Sequence, residues 1–69
     1  MLELTLNGEY KTIDSQSLLS LVEKTCAQSP PPQGIAVAIN GVVVRRSQWS
    51  TTQLHAGDDI EILWASSGG

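Results

Sequence analysis

The sequence predicts an α+β fold, five short strands in one sheet packed on a single main helix. Three observations carry this. Asn7-Gly8 and Asn40-Gly41 each separate two strand-like runs, and this dipeptide is the strongest short-range hairpin signal. Between the hairpins, Leu18, Leu21, Val22 and Cys26 fall at i, i+3, i+4 and i+8, one helical stripe. Near the end, Ile60-Glu61-Ile62 returns to a period of two. A lone helix buries its stripe against one face of the sheet, and the opposite face receives no cover from this chain.

The elements follow in order. Leu2, Leu4 and Leu6 alternate with Glu3 and Thr5, a half-buried first strand. Asn7-Gly8 accepts the positive φ angles of a type I′ turn, and Glu9 to Ile13 is the return strand. Asp14-Ser15-Gln16-Ser17 starts the helix, with Ser15 or Ser17 accepting a hydrogen bond from a free first-turn N–H. The helix ends before Ser29-Pro30-Pro31-Pro32, since proline lacks the N–H donor and excludes helical backbone in the residue before it. Ile35 to Ile39 is the third strand and Val42 to Arg45 the fourth. Ser47 to Leu54 is an irregular crossover containing a helical turn, Ala56-Gly57-Asp58 a tight turn, and Asp59 to Trp64 the last strand. The expected core is Leu4, Leu6, Leu18, Leu21, Val22, Val37, Ile39, Leu54, Ile60 and Ile62, with Trp49 plugging the space under the crossover. Residues 1–64 form one domain and residues 65–69 a flexible tail closing on Gly68-Gly69.

Composition narrows the function. With 69 residues the chain makes one small domain, which buries only about 60% of its unfolded surface. Hydrophobic residues at 41% and charged residues at 16% place it among globular chains. No apolar run reaches membrane-span length, and MLELTLNGEY lacks the basic region and long apolar stretch of a signal peptide, so a cytoplasmic protein is expected. The single cysteine, Cys26, excludes an internal disulfide framework and agrees with a reducing compartment. Net charge is −3 and the only basic pair is Arg45-Arg46, which argues against nucleic acid.

Catalytic chemistry finds little footing. His55 is the only histidine and sits beside a turn; no second histidine or cysteine supplies metal-ligand spacing. Cys26 lies on the apolar stripe and reads as a small buried hydrophobe, not a nucleophile. Asp58-Asp59 reads as turn chemistry, and no glycine-rich loop holds phosphate. The chain is therefore expected not to be an enzyme and to bind no metal or cofactor. Two readings remain open for Gly68-Gly69. One is a flexible terminus or cloning remnant. The other is steric: two glycines make the thinnest thread a chain can present, and such a thread ending in a carboxylate fits a narrow active site on another protein. Composition does not choose between them.

A family resemblance does. Ala38-Ile39-Asn40-Gly41, Val44, Arg46-Ser47, Trp49, Leu54, Gly57-Asp58, Ile60-Glu61-Ile62 and the closing Gly68-Gly69 resemble, in that order, the ThiS group of sulfur carrier proteins. The Asn7-Gly8 hairpin and the helix Ser17 to Val22 fit as well, so the resemblance covers essentially the whole chain. It implies a ubiquitin-like β-grasp, a mixed sheet on one main helix with the first and last strands adjacent, parallel and central. It implies that a ThiF-type adenylyltransferase uses ATP and Mg²⁺ to adenylate the carboxylate of Gly69. A persulfide-bearing donor protein then yields a thiocarboxylate, and thiazole synthase takes the sulfur for thiamin. On this reading Gly69 carries the sulfur and Gly68 gives it passage into the partner sites. Two departures stand out: Arg45 where the family often has proline, and Trp64-Ala65-Ser66-Ser67 where valine and alanine are common. They bear on partner contacts, not on the chemistry of Gly69.

Strand parity points Glu3, Thr5, Ala36, Ala38, Glu61 and Leu63 away from the helix. That face reads either as solvated sheet or as the docking surface for a partner, with Leu63, Glu61, Glu3 and Ala38 as its candidate contacts. Trp64 has inward parity at the strand's end and is given a partial core role, with partner contact as the alternative. Arg46 either caps the crossover turn or meets a partner. Two rival functions remain. A molybdopterin-type carrier shares the terminal chemistry, but the absence of proline in Glu61-Ile62-Leu63-Trp64-Ala65 favours thiamin. A ubiquitin-like modifier or interaction module is the rival from a different class.

Overall fold

The structure is a computed structural model and describes residues 1–64. Strand β1 (Leu2–Leu6) turns through Asn7-Gly8 into β2 (Glu9–Ile13). Helix α1 (Leu18–Cys26) follows, then β3 (Ile35–Ile39), β4 (Val42–Val44), a 3₁₀ segment (Arg46–Thr51) and β5 (Asp59–Trp64). The sheet order is β2-β1-β5-β3-β4. β1 and β5 run parallel at its centre, and the other neighbours are antiparallel. Both Asn-Gly turns take positive φ at each central residue, 50° and 83° in the first and 52° and 83° in the second, as type I′ hairpins require.

Of the two candidate capping serines, Ser17 is the cap and Ser15 braces the turn before it. The Ser17 hydroxyl accepts from the Ser20 N–H at 3.3 Å, and the Ser15 hydroxyl accepts from the Ser17 N–H at 3.2 Å. The helix stops before the prolines are reached. Ala27 turns left-handed at φ 57°, its N–H donates to the Lys24 carbonyl at 3.3 Å, and the Gln28 N–H donates to the Glu23 carbonyl at 3.2 Å. This is a Schellman ending with alanine where glycine is usual.

Leu4, Leu6, Leu18, Leu21, Val22, Val37, Trp49, Leu54, Ile60 and Ile62 are buried as one cluster between helix and sheet. Each such aliphatic side chain contributes roughly 1.5–3 kcal/mol when fully buried. Trp49 is the plug expected: its indole N–H donates to the Val44 carbonyl at 3.0 Å. The Arg46 guanidinium lies 5.3 Å from the ring centroid and donates to the Pro31 and Pro32 carbonyls, tying the proline loop to the crossover. Arg46 is therefore engaged within the chain, but with the proline loop and not as a cap of its own crossover turn.

Three expectations are corrected. Ile39 is only half-buried: Ile60 covers it on one side, but on the other it pairs with exposed Val42 of the edge strand β4. Arg45 falls outside β4 and instead precedes the 3₁₀ segment, whose Gln48 N–H donates to the Arg45 carbonyl. Trp64 is not a core residue: it pairs with Ile35 at the last rung of β5 and remains 59% exposed. Its parity is inward, but among the described residues no element covers that end of β5.

Candidate functional site

The site grows out of β5. Because β5 lies between β1 and β3, its inward residues Ile60 and Ile62 are buried in the core, which holds the strand. Its outward residues are presented on the face that no helix covers. Ala38 pairs with Glu61 and Ala36 with Leu63 on one side; on the other, β1 pairs Thr5 with Asp59, while Glu3 lies beside Gly57, on the same face but toward the opposite end from Leu63. Of the candidate contacts, Glu3, Glu61 and Leu63 are exposed and Ala38 is half-buried. The structure thus brings Leu63, Glu61, Glu3 and Ala38 onto one face. Ala36 and Ala38 leave its middle low, between Leu63, which is 56% exposed, and the outer strands.

Two residues of this face escaped the sequence reading. Tyr10 pairs with Thr5 and Val43 with Ala38, so both point outward and both are exposed. The signal existed. Once the two-residue turn fixes the hairpin register, Tyr10 must share the face of Thr5. Desolvation and then the neighbouring Glu3 carboxylate raise the Tyr10 phenol above its ordinary value of 10.0. The charged residues pointing outward from the strands are Glu3, Asp59 and Glu61, all acidic. A matching surface is apolar at its centre and basic at its rim.

Both hairpin asparagines hold β5 by their side chains. The Asn7 amide bonds both backbone groups of Ile62. The Asn40 Oδ1 accepts from the Asp59 N–H at 2.9 Å, and its Nδ2 donates to Asp58 at 3.0 Å. Asp58 also accepts from the His55 N–H at 2.8 Å, the turn role expected of it. Beyond the first hairpin, Asn7, Gly8, Asp59, Glu61 and Leu63 line an open groove of about 420 Å³ beside the end of β5.

Other candidates stay apart from this site. The His55 side chain is exposed, with Nδ1 3.9 Å from Asp58. Cys26 is half-buried on the helix; burial pushes its thiol above the ordinary 9.0, against the opposing pull of Arg46. A raised thiol is a poor nucleophile. Among the described residues no group of three or more metal-ligating side chains gathers, and no helix is long and apolar enough to cross a membrane. Gly68 and Gly69, with Ala65, Ser66 and Ser67, lie outside the described residues.

A mixed five-stranded sheet gripping one helix, with parallel first and last strands at its centre, defines a ubiquitin-like β-grasp protein. The family model for the ThiS family matches residues 4–69, and the chain belongs to that family. The chain is similar to a solved structure described as thiamine biosynthesis protein (ThiS) from Geobacter metallireducens. The two share 30% identity, with 99% of this chain and 100% of that chain covered and a TM-score of 0.79. No curated protein matches the chain.

Proposed function

We propose that this chain is a sulfur carrier of thiamin biosynthesis, working in the cytoplasm as a reusable cosubstrate and not as a catalyst. The carboxylate of Gly69 attacks the α-phosphate of ATP in a ThiF-type enzyme that supplies Mg²⁺; pyrophosphate leaves and an acyl-adenylate forms. The terminal sulfur of a protein persulfide attacks the acyl carbon and AMP leaves. A second thiol cleaves the resulting acyl disulfide, being oxidised to a disulfide itself and releasing the thiocarboxylate. Thiazole synthase takes that sulfur, and the carboxylate returns. The carboxylate must be activated because it is a poor electrophile, and the diglycine is the thinnest thread by which to deliver it.

One observation carries the reading: the family match runs through Gly68-Gly69, directly beyond a strand held on both sides. The outward face beside that strand supports it, since Leu63, Glu61, Glu3 and Ala38 offer the adenylating enzyme an apolar centre and carboxylates. The test is intact-mass measurement after incubation with the adenylating enzyme, ATP, Mg²⁺ and a persulfide donor. Replacement of one oxygen by sulfur at Gly69 is expected. An unchanged mass with a competent enzyme sinks the proposal. Transfer of Gly69 to lysines, seen as a conjugate ladder, would identify a modifier instead.

A further inference from the structure

Leu63 and Trp64 are consecutive, so their side chains leave β5 on opposite faces of the sheet. Both are more than half exposed, at 56% and 59%. Leu63 belongs to the open face already described. Trp64 belongs to the helix side, beside Ile35, where no element among the described residues covers it. An indole left in water forfeits a large apolar burial, and tryptophan is among the residues most enriched at the centres of protein interfaces.

We infer that Trp64 is a specificity-determining anchor for the adenylating partner, which closes on both faces of the β5 end, taking Leu63 on one side and the indole on the other. This rests on the carrier reading above. Reach supplies the occupant. Gly69 is five residues beyond Trp64, so their separation is at most roughly 18 Å. A stable interface covers about 800 Å² on each partner, a disc about 16 Å in radius. That upper bound is close to the radius, so an enzyme that encloses the Gly69 carboxylate and binds through such an interface extends to the end of β5. On the Leu63 side the approach is open, because β1 turns away at Asn7-Gly8 and leaves the groove lined by Glu61 and Leu63; on the other side the indole of Trp64 is itself 59% exposed.

The experiment labels the whole chain with 5-fluorotryptophan, which gives two ¹⁹F signals, one from buried Trp49 and one from Trp64, assigned with Trp64→Phe. The adenylating enzyme with Mg·ATP is then titrated in. The Trp64 signal is expected to shift and broaden while that of Trp49 stays. Trp64→Ala is expected to bind at least about tenfold more weakly and to raise KM for adenylation by a similar factor. Its kcat and thermal midpoint should hold, and Trp64→Phe should recover most of the loss. A Trp64 signal unmoved at saturation, or a Trp64→Ala variant binding within twofold of the parent, overturns the inference. If the Trp64 signal responds but no sulfur is incorporated, the carrier chemistry fails and the docking contact stands. If sulfur is incorporated without a Trp64 response, the reverse holds.

Discussion

The side-chain amide of Asn7 accepts from the Ile62 N–H at 2.8 Å and donates to the Ile62 carbonyl at 3.2 Å. Asn7 thereby acts as one more residue of β1 after the backbone has turned away. The ladder between β1 and β5 joins Thr5 to Asp59 and Leu6 to Ile60, and the Asn7 N–H adds a bond to the Ile60 carbonyl at 2.8 Å. Without the amide, the next pair of backbone groups on that side of β5 would face water. The residue does this while also taking the φ of 50° that its turn demands.

Two substitutions separate these roles. Asn7→Gly keeps the turn and removes the amide, and is expected to cost about 1–2 kcal/mol, the worth of one or two hydrogen bonds. Asn7→Ala loses the amide and strains the turn, and should cost about 1 kcal/mol more. Chemical denaturation measures both. Hydrogen exchange at the Ile62 amide reads the lost bond directly and should speed up in both variants.

Leu63→Asp tests the open face. The side chain is more than half exposed, so folding stability should change by no more than about 1 kcal/mol. If this face is the docking surface we propose, a carboxylate at its apolar centre beside Glu61 should weaken binding to the adenylating enzyme by tenfold or more. A calorimetric titration that finds unchanged affinity would remove Leu63 from the interface.

Position 45 has the backbone that proline requires. Its φ of −67° is the value that proline imposes, and Val44 before it is already extended. In the hairpin after Asn40-Gly41, Ile39 with Val42 and Val37 with Val44 are the hydrogen-bonded pairs, so the Arg45 N–H points away from β3. Arg45→Pro is expected to stabilise the fold by about 0.4–1 kcal/mol through the unfolded chain. Loss of stability in a urea titration would mean that this N–H has a partner.

Ala27 carries a left-handed conformation at an exposed helix end. Ala27→Gly removes the Cβ penalty and is expected to add about 0.5–1 kcal/mol, net of glycine's greater freedom when unfolded. The thermal midpoint should rise by several degrees.

Much of this fold was legible because its signals are local. The turn at Asn7-Gly8 needs only the positive φ that both residues tolerate, and the stripe Leu18, Leu21, Val22 needs only the helical period. The same locality hid other features. Asn7 was readable as a turn residue, but its second task joins positions 55 apart in sequence. The stop at Ala27 was hidden behind the prolines, since nothing in alanine announces a left-handed cap. Tyr10 joined the candidate site only through its register with Thr5.

By itself the sequence determined the elements, the hairpin turns, the helix face and the family that ends in Gly68-Gly69. Each of these depends on backbone preference, period or residue order within a short span. Parity already placed Leu63, Glu61, Glu3 and Ala38 on one face, and the family resemblance implied parallel central strands. The tertiary structure decided that Asn7 holds Ile62 and that Tyr10 and Val43 join that face. It also decided that Trp64 stands outside the core. Parity put the indole on the inner side, but burial depends on whether another element covers that spot, and among the described residues none covers the last rung of β5.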